Sequence, residues 1–277
     1  MAMIGDRLPL PVLREIPSGL YLDAGDLGEV LLPRREVPDE WETGAKIEVF
    51  LHHDSEDRPV ATRQMPKVLP GCFGKLTCVE VNRVGAFLDW GLAKDLMVPF
   101  REQRSRMKPG STYVVHVHVD EVSGRIVASS RLQRFLDKTR HRYQAGDKVE
   151  LVVFGKTDLG YNCIVNGLHS GLLYHRDAFQ VLKPGERLDG FIAEVRPDGK
   201  IDLSLQAPGR QRVTDLEGQI ISELTARGGW WAIGDHSSAE EIRDELGVSK
   251  RTFKQTLGAL LKKGRIRIES DGIRKVD

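Results

Sequence analysis

Three stretches of this chain keep one internal spacing, and that restricts the fold more than any other feature. Gly19, Gly85 and Gly160 each open a short extended segment: Gly19-Leu20-Tyr21-Leu22, Gly85-Ala86-Phe87-Leu88 and Gly160-Tyr161-Asn162-Cys163. Fourteen residues after each glycine stand Pro33, Pro99 and Tyr174, each preceded by an aliphatic residue. Twenty-five residues after each comes another glycine, Gly44, Gly110 or Gly185, ahead of an apolar alternating run. Arg58, Arg125 and Lys200 then start a last extended segment. Fixed offsets between turn glycines and strand starts imply one supersecondary plan used three times.

The second copy is the most legible. The pattern predicts strands over 73–82, 86–90 and 95–99, a fourth from Ser111 to Asp120, and a fifth beginning at Arg125 after the Ser123-Gly124 turn. In the fourth, Tyr113, Val115, Val117 and Val119 share one face by the period of two, and His116, His118 and Asp120 share the other. Short strands with no helix long enough to cover an open sheet favour closure into a barrel, because closure removes exposed edges. A five-stranded OB-type barrel fits the length, with an SH3-like barrel as the structural alternative.

After Ser204 the period shifts to 3.6. Thr214-x-x-Glu217 and Ser238-x-x-Glu241 read as capping boxes ahead of Leu216, Ile220, Ile221 and Leu224, and of Ile242 and Leu246. Ser249 starts a further helix with Phe253, Leu257, Leu260 and Leu261 on one stripe, and Asp271-Gly272 turns a terminal hairpin. This order predicts a winged helix-turn-helix. The expected organisation is barrels over 1–65, 66–135 and 146–206, linkers over 136–145 and 207–213, and the winged helix over 214–277. The fold class is therefore mainly β with a C-terminal α+β module. The segment 132–146, rich in Arg, Lys and His, is read as a spacer between two barrels.

Charge is distributed unevenly along the 277 residues, although the net charge is only +1. Residues 1–65 hold seven basic and thirteen acidic groups, a net of −6, whereas 66–135 hold eleven and six, a net of +5. Residues 249–275 carry nine basic groups against two acidic ones. A polyanion would be drawn to the second copy and the C-terminus. No apolar run approaches the roughly 18–20 residues of a membrane helix, so no membrane association is expected. Three cysteines without a Cys-x-x-Cys pair argue against disulfides and a zinc knuckle, and point to the cytoplasm.

The repeated unit resembles the S1 RNA-binding motif, an OB-fold module. Gly85-Ala86-Phe87, Asp120 and Gly124-Arg125-Ile126 match it in the second copy, and Gly171-Leu-Leu-Tyr174 and Gly199-Lys-Ile-Asp-Leu-Ser204 in the third. The first copy offers Tyr21 at the aromatic position, with Asp54 and Arg58 near its end. The motif's histidine is replaced by Pro33, Pro99 and Tyr174, and in the third copy Asn162 holds the aromatic register while Tyr161 stands one position early. The resemblance implies RNA contacts at Phe87, Arg125, Tyr161, Tyr174, His175 and Lys200, with weaker ones at Tyr21, Arg58 and Asp120. Tyr174 with His175 is the favoured stacking pair. The acidic first copy is expected to be divergent and mainly architectural. Over nearly its full length the chain resembles the bacterial conserved virulence factor B family, on Gly28-Glu-Val-Leu-Leu-Pro33, Asp54-Ser-Glu-Asp-Arg-Pro59, Lys94-Asp-Leu-Met-Val-Pro99, Asp158-Leu-Gly-Tyr-Asn162 and Gly171-Leu-Leu-Tyr174. That resemblance implies RNA binding with a regulatory role and no catalytic residues.

No enzyme motif is present: no phosphate loop, no His-Glu-x-x-His, no Gly-x-Ser-x-Gly. His52 and His53 point to opposite faces of a strand and do not share an ion, and the carboxylates Asp54, Glu56 and Asp57 read as a solvated turn rather than a metal-dependent nuclease. The expectation is a non-catalytic binder of single-stranded RNA that acts in gene regulation. It uses the barrels together with Lys250, Arg251 and Lys254 of the winged helix and needs no cofactor or metal; the oligomeric state is left open, with a monomer favoured because no coiled-coil seam is apparent. Two alternatives stand beside it. One is a transcription regulator that binds duplex DNA through the winged helix, although the acidic helix of Glu240, Glu241, Asp244 and Glu245 suits a duplex poorly. The other is a protein-interaction scaffold.

Overall fold

The structure, a computed structural model, describes residues 2–139, 141–178, 180–206 and 209–276, and over 209–215 the backbone alone. The first repeat comprises β1 (Arg7–Ile16), β2 (Gly19–Asp23), β3 (Glu29–Pro33), β4 (Lys46–His53) and β5 (Pro59–Thr62). The second comprises β6 (Phe73–Val81), β7 (Gly85–Asp89), β8 (Leu96–Pro99), β9 (Thr112–Val119) and β10 (Ile126–Ser129). The third comprises β11 (Lys148–Lys156), β12 (Gly160–Val165), β13 (His169–Tyr174), the one-turn helix α1 (His175–Ala178), β14 (Arg187–Val195) and β15 (Ile201–Ser204). The three glycines of the sequence ruler thus open β2, β7 and β12.

The first and third repeats are closed barrels of order β1-β2-β3-β5-β4 and β11-β12-β13-β15-β14. In the first, a parallel pair, Leu31 opposite Val60, joins β3 to β5. The second has the same order, β10-β9-β6-β7-β8, but its outer strands β8 and β10 run close together without a ladder.

A shared device bends the long first strand of each barrel. The ladder slips between Val12 and Arg14, between Cys78 and Glu80, and between Val153 and Gly155. Just before each slip, Val12, Cys78 and Val153 accept a hydrogen bond from Gly44, Gly110 and Gly185 at 2.8, 2.8 and 2.7 Å. They donate in return to the carbonyls of Ala45, Ser111 and Glu186. A bulge adds local twist, and here it lets one strand pair with neighbours on both sides of a tight barrel. Gly19 is required where β2 meets β3: its φ is +150°, and a Cβ there would lie 1.9 Å from the Leu32 carbonyl oxygen.

Backbone contacts divide the chain into two compact units: Met1–Thr139, Glu150–Gly171 and Gln180–Leu188 in one, and Arg140–Val149, Leu172–Phe179 and Asp189–Asp277 in the other. Within the first unit the fourth strands are buried on both faces. Val49 and Leu51 of β4 fill the first barrel, while Phe50 joins the core of the second, its ring 6.0 Å from that of Trp90 in an edge-on contact. Likewise Val115 and Val117 fill the second barrel, while Val114 packs with Phe73, Leu132, Leu136, Val152 and Ile164. The polar outer face expected for β9 is therefore covered: His116 is only 8% exposed, its ring 4.2 Å from that of Phe135. The reversal has a simple cause, because a strand's second face stays wet only if nothing docks on it. Leu136, placed in a linker by its sequence context, is part of this same packing.

In the second unit, α2 (Gly209–Ala226), β16 (Trp230–Trp231), α3 (Ala239–Leu246), α4 (Lys250–Lys262), β17 (Ile266–Ile268) and β18 (Ile273–Lys275) make a winged helix with sheet order β16-β18-β17. Its core holds Leu216, Ile220, Leu224, Trp231, Ile242, Leu246, Phe253, Leu257, Leu260 and Ile273. Ser238 and Glu241 form the expected capping box on α3. Two expectations need correction. Helix α2 begins at Gly209, so 209–213 is helical rather than linker; Arg, Gln and Val all tolerate a helix interior, and a capping signature marks a permitted start, not a required one. The Thr214 side chain of that signature, and Ala207 and Pro208 of the linker, lie outside the described residues. Leu261 is 48% exposed, and Thr256 takes the buried place instead, its hydroxyl donating to the Thr252 carbonyl at 3.0 Å.

Candidate nucleic-acid interface

Two grooves of the first unit lie on faces that the repeats present in register. Tyr21, Phe87 and Asn162 oppose Arg14, Glu80 and Gly155 in their respective barrels, each just past the bulge. Alternation along the strand then decides which residues point outward. Phe87 is half-buried and opens into a cavity of about 230 Å³ shared with His52, His53, Trp90, Lys94 and Arg125. Trp90 is fixed there by its Nε1–H, which donates to the Lys94 carbonyl at 2.6 Å.

The cations of this first groove are already engaged by the acidic β4–β5 turn. Arg125 forms an ion pair with Asp57, and Lys94 donates to the Asp54 carbonyl at 2.6 Å and lies 3.6 Å from Asp57. Arg58 donates through Nε and Nη2 to Asp54 at 2.8 and 2.7 Å. Burial pushes the Asp54 carboxyl up, but the bonds from Arg58 and from the Glu56 N–H outweigh it and hold Asp54 below its ordinary value. Asp120 is a turn residue: it accepts from the Ser123 hydroxyl and N–H and from Arg101, which keeps its carboxyl below the usual range. An acceptor so occupied is not placed to meet a phosphate strand.

Tyr161 is the clearest correction. It is 3% exposed, and its hydroxyl accepts from the Leu182 N–H at 3.2 Å, so it packs inside rather than presenting a ring. Asn162, in register with Phe87, faces out in its stead, because one step along a strand changes faces. Tyr21 is half-buried beneath Arg14, whose guanidinium carbon lies 4.3 Å from the ring centroid. In the second unit Tyr174 is half-buried, with the Arg176 guanidinium carbon 5.1 Å from its ring and its hydroxyl accepting from Arg196. His175 beside it is exposed, as is Lys200, which pairs with Asp198 at 2.8 Å. On α4, Lys250 donates to the Ser237 carbonyl at 2.7 Å and Lys254 pairs with Asp235 at 2.7 Å. Arg251 is exposed and has no ion pair among the described residues.

A second groove, missed at the sequence level, has a volume of about 550 Å³ and is lined by Arg104, Tyr113, Arg131, Arg134, Phe154 and Asn162 together with polar and aliphatic neighbours. Its arginines were legible only as part of the positive charge of 66–135. Beside it, burial pushes the Glu102 carboxyl up, but bonds from Ser129 and Arg134 prevail and lower it. Arg134 donates to both Glu102 oxygens at 3.0 and 3.1 Å.

His116, under the Phe135 ring, has its pKa lowered to about 4, first by burial and then by the neighbouring His118. A depressed histidine binds its proton more readily in the unfolded chain. Stability therefore falls as pH drops from about 6.5 towards about 4, and is complete above that window. The expected result is a lower urea midpoint for the first unit at pH 5 than at pH 7, and a smaller difference for His116→Phe. Equal shifts in both proteins would rule His116 out as the source.

Fold and site together define a class: tandem OB-type five-stranded barrels ending in a winged helix. Residues 4–64 match the S1 domain family model, and 218–274 match the CvfB-like winged helix domain model. The S1 match falls on the acidic first repeat, the copy expected to be divergent. The chain is 26% identical to the uncharacterized protein YitL of Bacillus subtilis, over 95% of this chain and 90% of the relative. It is 24% identical to conserved virulence factor B of Staphylococcus aureus, over 93% and 89% respectively. Among solved structures it is similar to a multidomain protein with nucleic acid binding domains from Streptococcus pneumoniae, at 20% identity, covering 99% of this chain and 98% of that one, with a TM-score of 0.43. The resemblance to the conserved virulence factor B family drawn from the sequence is thus borne out. No helix among the described residues is long and apolar enough to cross a membrane.

Proposed function

We propose that this protein binds single-stranded RNA, without catalysis, and regulates gene expression by doing so. One observation carries the reading: each barrel sets a half-buried ring beside a cation. Tyr21 lies under Arg14, Phe87 shares its groove with Lys94 and Arg125, and Tyr174 lies beside Arg176. A ring with a neighbouring cation suits an unpaired nucleotide, since every base has a π-face to stack and every linkage a phosphate to neutralise; stacking contributes about 1–3 kcal/mol per base. The S1 domain match supports the same reading. A duplex reading is less well supported, because α3, which packs on α4, carries Glu240, Glu241, Asp244 and Glu245, charges that suit a duplex backbone poorly.

Fluorescence anisotropy with oligo-U, oligo-A and a duplex DNA of equal length, each at two salt concentrations, tests it. The expected order is single-stranded RNA well ahead of duplex, with log affinity falling by about 0.7 per phosphate contact for each decade of salt. Preference for duplex would transfer the function to the winged helix. No binding at low salt would favour a protein partner.

A further inference from the structure

We propose that the groove between the second and third barrels is an RNA-binding site that holds one or two unpaired nucleotides of the strand, its arginines on the phosphates and Asn162 on a base edge. This deepens the reading above and rests on it. Three features of the groove carry the assignment.

Most of its charge is unopposed. Arg104, Arg131 and Arg134 line it, and among the described residues no carboxylate does. Arg134 is neutralised by Glu102 behind it, but Arg104 and Arg131 are exposed and have no ion pair among the described residues. The first groove, by contrast, includes Asp57 and Asp95 in its wall. Two idle guanidiniums facing one space call for an anion, and their planar forks match phosphate oxygens.

The backbone that carries those cations is also held in place. The Arg104 N–H donates to the Ser130 hydroxyl at 2.8 Å, and that hydroxyl lies 3.3 Å from the Glu102 carbonyl, which stitches the 104 loop to the residue preceding Arg131. On the facing barrel Gly155, just past the bulge after Val153, has no side chain, at a point where a Cβ would stand 3.8 Å from both Arg104 Nη1 and Asn162 Nδ2. The guanidinium and the amide therefore sit side by side over bare backbone.

Finally, the walls suit a nucleobase. Tyr113 and Phe154 supply ring surface, and Asn162 replaces the aromatic of the other two repeats with a group that both donates and accepts. An amide at that register reads a base edge with a donor and an acceptor together, where the ring of Phe87 can only stack. A volume of about 550 Å³ falls in the range of small-ligand sites, roughly 300–1,000 Å³, which admits a nucleotide or two and not a duplex.

The test is Arg104→Ala/Arg131→Ala in the full chain, measured by anisotropy with labelled oligo-U across a salt series. Loss of two phosphate contacts is expected to weaken binding about 25-fold at 0.1 M salt and to make the log–log salt slope shallower by about 1.4. Thermal unfolding should not change, because neither side chain is buried or paired, and Arg7→Ala/Lys46→Ala on the first barrel should bind as the parent does. A parent that binds oligo-U while the double variant keeps its affinity and slope would overturn the groove and leave the RNA reading standing. A parent that binds no RNA would overturn both. A uridine mononucleotide that competes as well as the oligomer would make this a small-ligand site and equally end the proposal.

Discussion

Gly19→Ala is expected to destabilise the first barrel by about 3 kcal/mol or more, among the largest effects a single methyl can have. The new Cβ would stand 1.9 Å from the Leu32 carbonyl oxygen in β3 and 3.0 Å from the nitrogen of Arg34 just after it, both backbone atoms. No rotamer escapes a clash made by Cβ itself. Relief requires β3 to move off β2, which breaks the pairing of Gly19 with Pro33 and strains the bond from the Arg34 N–H to the Ser18 carbonyl, now 2.8 Å. Hydrogen exchange would show the loss as fast exchange across residues 19–33. Gly25→Ala is the control: its φ of +59° is also left-handed, but nothing lies within 4 Å, so the cost should stay near the roughly 1–2 kcal/mol of the backbone term alone. Equal costs at the two glycines would show that conformation, not close approach, selects Gly19.

Phe253→Ala should cost about 3–5 kcal/mol and unravel the winged helix. Phe253 is fully buried at the centre of a core to which α2, α3, α4, β16, β17 and β18 all contribute. The domain is small, and a cavity at its centre has few alternative contacts to fill it. Limited proteolysis should then cut within 216–276 while the first two barrels, whose cores share no residue with this one, stay intact. Phe253→Leu, which keeps most of the volume, should cost less than about 1.5 kcal/mol. A Phe253→Ala protein as resistant as the parent would mean the site collapses without loss.

The barrels could be read from glycine spacing because turn chemistry is local. Gly44, Gly110 and Gly185 all adopt left-handed φ values, 85°, 77° and 85°, and each sits where the fourth strand must start. What a neighbour decides was harder to see. His116 and Val114 look like the two faces of a half-wet strand until the third barrel's Val152 and Ile164 dry the outer one. Tyr161 was a plausible stacking ring until its register put it inside, next to an Asn162 that a search for aromatics passes over. Trp230 and Trp231 form a two-residue strand too short for any periodicity to announce. Arg104, Arg131 and Arg134 belong to no motif, and they become a site only when two barrels bring them to one space.

Phe50 carries a lesson about how such a chain can be taken apart. The repeats read as beads that scissors could separate near residue 65, yet a side chain of the first bead is an organ of the second, lodged against Trp90 in the core that also holds Val68. Cutting there would leave an oily scar on the downstream fragment and an orphaned phenylalanine on the upstream one. The first two beads have therefore to be inherited, expressed and studied as a pair.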